Sequence, residues 1–120
     1  MKRIIEGRAG GPYSPAVVAN GLCFVAGQVG VTAEGKLAEG LEGQVRQALD
    51  NLSDVLGRAG LAMTDVVRTT VYLDNMDDFG AMNAVYATYF PSDPPARTTI
   101  EVARLPVNAL VEVDAIAIAG

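Results

Sequence analysis

The last third of the chain, residues 94–120, constrains the fold most, because two strand-like segments there carry charged side chains in an apolar setting. From residue 96 onward, Arg97, Thr99 and Glu101 point to one side, since successive residues of a strand face opposite ways. In the final segment, 110–119, both alternating faces are largely apolar, which is typical of a strand covered on both sides. Glu112 stands on one of these faces, where an unpaired carboxylate is costly to bury. We therefore predict that Glu112 pairs with Arg97 across a site that admits a small anion.

The other segments predict an α+β domain in which two helices cover one face of a mixed sheet. Apolar residues recur every three or four positions over 41–59 and again over 79–90, where Pro91 ends the helix. Asn20-Gly21 between apolar runs predicts a tight hairpin, and further strands are predicted over 3–6 and 66–73. The 120 residues fit a single domain, 1–120. Because two helices cover one face only, we expect further copies of the chain to cover the other face.

The absence of histidine excludes whole classes of chemistry. Ser-His-Asp and Cys-His catalysis and His-ligated zinc all require an imidazole, and a single cysteine makes a soft-metal site unexpected. Neither G-x-G-x-x-G nor a Gly-Lys-Ser/Thr phosphate loop is present. A formal net charge of −5 argues against nucleic acid as the main partner. Any chemistry must therefore use carboxylates, arginine, hydroxyls, amides, backbone groups and water, without a metal.

The sequence also bears on where the protein works. The single cysteine, Cys23, cannot form an internal disulfide, which suits a reducing compartment. Residues 1–6 do not form a signal-peptide pattern, and no apolar run approaches the roughly 20 residues that a membrane span needs. We therefore expect a cytoplasmic protein without a membrane partner.

A structural role competes with a functional one at each candidate residue. Arg97 suits either a surface ion pair or a planar fork that binds a carboxylate through two parallel hydrogen bonds. Tyr13 lies in a Gly- and Pro-rich loop, 7–15, which is either a connector or a flap over a pocket. Glu112 is either a solvated strand residue or a working carboxylate, and Asn83 suits either the surface or a pocket. Structural roles are expected for a further set, namely Cys23, Tyr86, Tyr89, Phe90, Arg104 and Asp114.

Six short motifs occur in one order along nearly the whole chain. They are G-P-Y-S at 11–14, V-A-G-Q at 25–28, Q-A-L-D-N-L at 47–52, V-Y-L-D-N-M-D-D-F at 71–79, P-A-R-T-T-I-E-V-A-R-L-P at 95–106 and V-E-V-D-A-I-A at 111–117. This set resembles the RidA/YjgF family of reactive-intermediate deaminases, whose older label is endoribonuclease L-PSP. The resemblance implies a chorismate-mutase-like α+β fold. It also implies a homotrimer whose three sheets line a central barrel, with active sites in the clefts between subunits.

The same resemblance implies an activity and a set of residue roles. The family hydrolyses enamine and imine intermediates, such as 2-aminoacrylate and 2-iminobutanoate, to 2-keto acids and ammonia without a cofactor. By motif position, Arg97 would hold the substrate carboxylate, Glu112 would position or activate water, and Tyr13 would close the pocket. The remaining pocket residues implied in this way are Gly27, Asn83 and Thr99. A nearby Arg97 would favour the ionised form of Glu112.

Two departures from the family pattern leave other functions open. Ala26 stands where members usually have serine, and Pro15 stands where they often have glutamine. One alternative is a protein that binds a small carboxylate or 2-keto acid without turnover. A second is an RNA-cleaving nuclease, against which the missing histidine and the acidic charge argue. A third is a deaminase of another substrate, such as 2-aminomuconate.

Overall fold

The computed structural model describes all of residues 1–120, which form six β-strands and two α-helices. In chain order the elements are β1 (Arg3–Ile5), β2 (Ala16–Ala19), β3 (Leu22–Val29), α1 (Gly40–Arg58), β4 (Val66–Leu73), α2 (Phe79–Tyr89), β5 (Ala96–Glu101) and β6 (Val111–Ile118). Three short 3₁₀ turns lie in the connections, at Met63–Asp65, Met76–Asp78 and Pro106–Asn108. The predicted helices and strands are thus all present, with boundaries shifted by one or two residues.

The six strands form one mixed sheet in the order β1-β2-β3-β6-β4-β5. All neighbouring pairs are antiparallel except β4 and β5, which run parallel. A parallel pair requires a crossover, and α2 provides it. The last strand of the chain therefore inserts between β3 and β4, which places Glu112 near the middle of the sheet.

Both helices pack on one face of this sheet, as predicted. Most of the apolar stripe of α1 is buried, and Met82, Val85 and Tyr86 of α2 join the same core. On the sheet, the buried residues of β4 and β6 alternate, as the two-residue period of a strand requires. The face away from the helices keeps large apolar side chains in solvent, where Phe24, Ile100 and Ile118 are 40–46% exposed. The predicted α+β fold class is confirmed.

Two local sequence signals have the predicted backbone geometry. Asn20 and Gly21 both have positive φ, 52° and 74°, as a type I′ hairpin between β2 and β3 requires. Gly60 follows α1 with a φ of 79°, and Leu61 N donates to Leu56 O at 2.9 Å, which closes the helix in a Schellman motif. Neither helix is both long and apolar enough to cross a membrane.

Candidate functional site

Arg97 is a half-buried cation that has no anionic partner in the chain. It pairs with Thr69 in the parallel ladder of β5 and β4, and Thr69 is buried under the helices, so Arg97 also lies on the helix side. Its Cζ atom lies 4.7 Å from the ring centroid of Tyr86 and 5.6 Å from that of Phe79. No carboxylate oxygen lies within 4.0 Å of the guanidinium nitrogens of Arg97. The one ion pair in the chain joins Arg58 to Asp54. Two roles were considered for Arg97, and the first of them, a surface ion pair, is not formed in this chain.

Three residues of helix α2, Phe79, Met82 and Tyr86, contact the guanidinium of Arg97, and we refer to them as the cradle. Phe79, Met82 and Tyr86 follow the spacing i, i+3, i+7, which places them on one face of the helix. Arg97 Nη1 lies 3.9 Å from the Met82 sulfur, and Tyr86 shares a 2.8 Å hydrogen bond with the Thr69 hydroxyl. Burial raises the pKa of Tyr86, while the Thr69 hydrogen bond and the Arg97 charge oppose that rise. Tyr86 was predicted to be a packing residue; it is one, and its ring also contacts Arg97.

Two further polar groups lie on the same side of the sheet as Arg97. Thr99 pairs with buried Val71, which directs its side chain toward α2, and Asn83 lies one helical turn after Phe79. Thr99 Oγ1 and Asn83 Oδ1 are buried and have no hydrogen-bond partner. A buried acceptor or hydroxyl without a partner costs about 1–3 kcal/mol, so both atoms are suited to a polar ligand. We refer to Arg97, Thr99 and Asn83 as the arginine half-site.

Glu112 lies on the opposite face of the sheet, directly over Gly27. It pairs with Val29 of β3 and with Tyr72 of β4. A Cβ atom at Gly27 would lie 2.9 Å from Glu112 Cδ and closer still to Oε2, so any other residue here would displace this carboxylate from its position. Burial raises the pKa of Glu112, and the negative charge of Asp114 raises it further.

A hydrogen bond from strand β4 fixes the side chain of Asp114 beside Glu112. The Tyr72 hydroxyl donates to Asp114 Oδ2 at 2.9 Å, across the ladder of β4 and β6. On the same face, Arg68 donates to the Thr98 hydroxyl at 2.6 Å, so that guanidinium is engaged away from the two acids. Asp114 therefore has the structural role predicted for it, and its charge also acts on Glu112.

The predicted pairing of Arg97 with Glu112 is wrong for a single chain. Arg97 pairs with Thr69 of β4, whereas Glu112 pairs with Tyr72 of the same strand. These two β4 residues are three positions apart, an odd number, so they face opposite sides of the sheet. The sheet therefore lies between the guanidinium and the carboxylate.

Tyr13 and Gly27 lie together along a groove beside α1. Tyr13 is 54% exposed in its loop, and its hydroxyl accepts a 3.1 Å hydrogen bond from Gly10 N. Both residues line a groove of about 880 Å³ between α1, the 7–15 loop and the end of β3. Because Gly27 also contacts Glu112, we refer to Glu112, Gly27 and Tyr13 as the glutamate half-site.

The two departures from the family pattern lie next to this half-site. Ala26 and Gly27 form a bulge in β3, where they face a single residue of β6. Ala26 N donates to Pro15 O at 2.9 Å, and Gln28 Nε2 donates back to Ala26 O at 3.0 Å. The bulge is therefore held by backbone and amide groups, with no hydroxyl at position 26.

Sequence reasoning missed the cradle residues Phe79 and Met82. Their spacing with Tyr86 is indistinguishable from ordinary helix packing, which that pattern more often indicates. The one available signal was that Asn83 shares this otherwise apolar face, because a polar residue among helix residues that face the sheet needs a partner.

Comparisons with known proteins agree on one family. The family model described as Endoribonuclease L-PSP matches residues 5–119. A RutC family protein of Synechocystis is 46% identical over 112 residues, which cover 90% of this chain and 86% of the relative. The 2-iminobutanoate/2-iminopropanoate deaminase of Mus musculus is 44% identical over 112 residues, 92% of this chain and 83% of the relative.

Solved structures give the same result for the fold. A protein of the conserved Rid family from Yersinia pestis is 39% identical, with a TM-score of 0.93 over 98% of this chain and 99% of that one. The YjgF gene product of E. coli is 35% identical, with a TM-score of 0.92 over 97% of this chain and 98% of that one. The chain therefore belongs to the endoribonuclease L-PSP family, which includes the RutC and RidA proteins.

Proposed function

We propose that the protein hydrolyses 2-imino acids and their enamine tautomers, including 2-aminoacrylate and 2-iminobutanoate, to 2-keto acids and ammonia. The observation that carries this proposal is the arginine half-site: a half-buried guanidinium without a counter-ion. Unpartnered Thr99 and Asn83 atoms lie on the same side of the sheet. Such a site suits a small molecule with a carboxylate and a second polar group. The deaminase names carried by relatives from mouse and human, 44% and 40% identical, agree with this substrate class.

We further propose that the complete site forms between two copies of the chain, within a homotrimer. Each chain presents the arginine half-site on the helix side of its sheet and the Glu112 carboxylate on the other side, so one copy can complete another. The open sheet face, which carries exposed Phe24, Ile100 and Ile118, offers an apolar surface for the neighbouring copies. A stable monomer in sedimentation velocity would contradict this arrangement.

In this site Arg97 would bind the substrate carboxylate through two parallel hydrogen bonds. The fork fixes the position of the adjacent C=N carbon, so water attacks from a constant direction. Glu112 of the neighbouring copy would take a proton from that water as the new C–O bond forms, and then return it to nitrogen. The C–N bond of the tetrahedral intermediate then breaks and ammonia leaves with its electron pair. Glu112 accepts the hydroxyl proton as the C=O bond of the 2-keto acid forms.

The raised pKa of Glu112 suits both parts of this role. Burial and Asp114 make its carboxylate a better base than an ordinary glutamate. Arg97 of a neighbouring copy would favour the ionised form and so oppose that rise. A carboxyl whose pKa is set by these opposing effects is suited both to accept a proton and to return it.

A coupled assay tests the activity. A pyridoxal-phosphate dehydratase would generate 2-aminoacrylate or 2-iminobutanoate in place, and release of the 2-keto acid would be followed with and without the protein. We expect acceleration over the spontaneous rate, and its loss in Arg97→Ala. An unchanged rate with the folded natural protein would sink the deaminase proposal.

A second candidate function is binding of a small carboxylate without turnover. The missing hydroxyl at position 26, beside Gly27, favours this alternative, because it removes one group that could contact the substrate or water. Under it, Glu112→Gln would leave the affinity for 2-oxobutanoate largely intact and the natural protein would not accelerate imine hydrolysis. Isothermal titration of both proteins, together with the coupled assay, separates the two functions.

We also propose that the protein works in a reducing compartment, such as the cytoplasm. Its one cysteine, Cys23, is buried in β3 and has no partner for a disulfide.

A further inference from the structure

The groove beside the glutamate half-site is larger than a three- or four-carbon substrate requires. Its volume of about 880 Å³ lies in the range of pockets that hold ligands of drug size, roughly 300–1,000 Å³. Tyr13 and Gly27 line it, and Gly27 also lies against the Glu112 carboxylate, so Gly27 is the point where the groove meets the glutamate half-site. A substrate bound there would have room for an extended side chain.

Much of the groove wall is apolar and suits a methylene chain. Val29, Val31 and Val55 line it from the end of β3 and from α1. Val107 adds a further apolar side chain, 62% exposed, from the turn before β6. Its φ of 53° is unusual for a β-branched residue, and such strained positions cluster at functional sites.

The side-chain amides of Asn51 and Gln47, which line the groove, already form hydrogen bonds within the chain. Asn51 Nδ2 donates to Val29 O at 3.0 Å and to Val31 O at 2.9 Å. Asn51 Oδ1 in turn accepts from Gln47 Nε2 at 2.9 Å. Asn51 therefore holds the end of β3 and has no free amide hydrogen left for a ligand.

The charged groups of the groove leave one arginine without an acidic partner. Arg58 is engaged with Asp54 at 3.0 Å and donates to Glu6 O at 3.4 Å. Arg8 donates to Ala33 O at 3.0 Å, and no carboxylate lies within 4.0 Å of it. Two arginines and one aspartate give the groove an excess positive charge, although the whole chain has a net charge of −5.

We propose that this groove receives the side chain of the 2-imino acid and that Arg8 is a specificity-determining residue, which favours substrates with a second carboxylate. The inference rests on the proposed deaminase function and extends it. Arg97 holds the carboxylate next to the C=N bond, the apolar wall contacts the methylenes, and Arg8 holds the distal carboxylate. The preferred substrates are then the imines of acidic amino acids, so the supplying reactions are those that oxidise such amino acids at C2 or eliminate a leaving group from C3 of their 3-substituted forms.

A comparison of four imines tests the inference. D-Aspartate oxidase would generate the imines of Asp and Glu, and D-amino-acid oxidase those of Ala and Leu. The D configuration is irrelevant because C2 becomes planar in the imine. The measured quantity is the ratio of kcat/KM for the acidic imines to kcat/KM for the apolar imines.

Three variants and one control test whether the charge of the groove sets this ratio of kcat/KM values. We expect Arg8→Gln to lower the ratio about tenfold, as loss of a charge-assisted hydrogen bond predicts. Arg8→Glu should lower it further by repulsion, and Asp54→Asn should raise it by removing the groove's acid. Arg46→Gln, an exposed arginine of α1 that does not line the groove, should leave the ratio as it is in the natural protein.

The outcomes separate this inference from the function on which it rests. If the natural protein accelerates hydrolysis of the alanine imine, but Arg8→Gln changes the ratio no more than Arg46→Gln does, the inference is wrong and the deaminase function stands. If no imine is hydrolysed faster than it is spontaneously, both are wrong. Thermal unfolding of each variant identifies any loss of fold.

Discussion

Arg97 is held by contacts that leave its hydrogen-bonding edge without an anion. Cation–π contacts with Phe79 and Tyr86 fix the guanidinium and each contribute about 0.5–2 kcal/mol in such settings. An ion pair would hold the group more tightly but would occupy the fork that a substrate carboxylate needs. An aromatic cradle therefore orients the arginine while its binding capacity stays free.

Gly27→Ala should nearly abolish activity, because its methyl group would collide with the Glu112 carboxylate. A displacement of about 1 Å in a reacting group costs on the order of 100-fold in rate, so we expect kcat to fall by about that factor. The steady-state kinetics of 2-iminobutanoate hydrolysis measure this. The matched control is Gly57→Ala, an exposed helical position with no neighbour within 4 Å.

That control should keep its activity and gain stability. Alanine in the middle of a helix is favoured over glycine by about 0.5–1 kcal/mol, and since Gly57 lies in the last turn of α1 we expect a gain at or below this range, measured by thermal unfolding. Equal loss of kcat in both variants would mean that Gly27 has no special relation to Glu112.

At the scale of elements, β6 places two acids side by side on one face. Asp114 raises the pKa of Glu112, and the base form of Glu112 exists only above that pKa. The kcat of the natural protein should therefore rise with pH through a limb that reports the ionisation of Glu112. Asp114→Asn removes the repulsion, so the limb should move to lower pH, as initial rates across the pH range would reveal. A limb that stays in place would show that Asp114 does not act on the catalytic base.

Helix α1 holds the strand end that pairs with Glu112. Asn51→Leu removes the two hydrogen bonds to Val29 O and Val31 O and leaves two carbonyl groups without these partners. We expect the free energy of unfolding to fall by about 2–4 kcal/mol, measured by urea denaturation. Ser53→Ala, an exposed position of the same helix, should change it by less than about 0.5 kcal/mol. A similar small change for Asn51→Leu would contradict this role.

Local elements were predictable from the sequence, whereas the relation between their faces was not. The Asn20-Gly21 hairpin and the end of α1 at Gly60 depend on a few neighbouring residues, and both have the predicted geometry. The alternation of Arg97 and Thr99 within β5 was likewise correct. The orientation of Glu112 relative to Arg97 depends on the registers of β4 with both β5 and β6, two long-range pairings that no local pattern encodes.

The candidate site was predictable only in part for the same reason. Motif position identified Arg97, Glu112 and Gly27, but the cradle of Phe79 and Met82 follows from the packing of α2 over β5. The open sheet face was foreseen because two helices cannot cover both faces of a sheet. Which residues meet across that face is a property of the assembly.

At the scale of the whole molecule, one chain contains both halves of a site but keeps them apart. The sheet separates the guanidinium of Arg97 from the carboxylate of Glu112. Under the proposed function, activity therefore requires at least two copies, and each interface should contain one complete site. Loss of assembly and loss of activity should then occur together.

Subunit complementation tests this central claim most directly. Arg97→Ala and Glu112→Gln proteins, each expected to be inactive, would be mixed in equal amounts, unfolded and refolded together. A shared site needs Arg97 from one copy and Glu112 from its neighbour, so about a quarter of the sites should be intact after random mixing. We predict that about a quarter of the natural activity returns. Activity that stays at the level of the unmixed variants would contradict a site shared between copies.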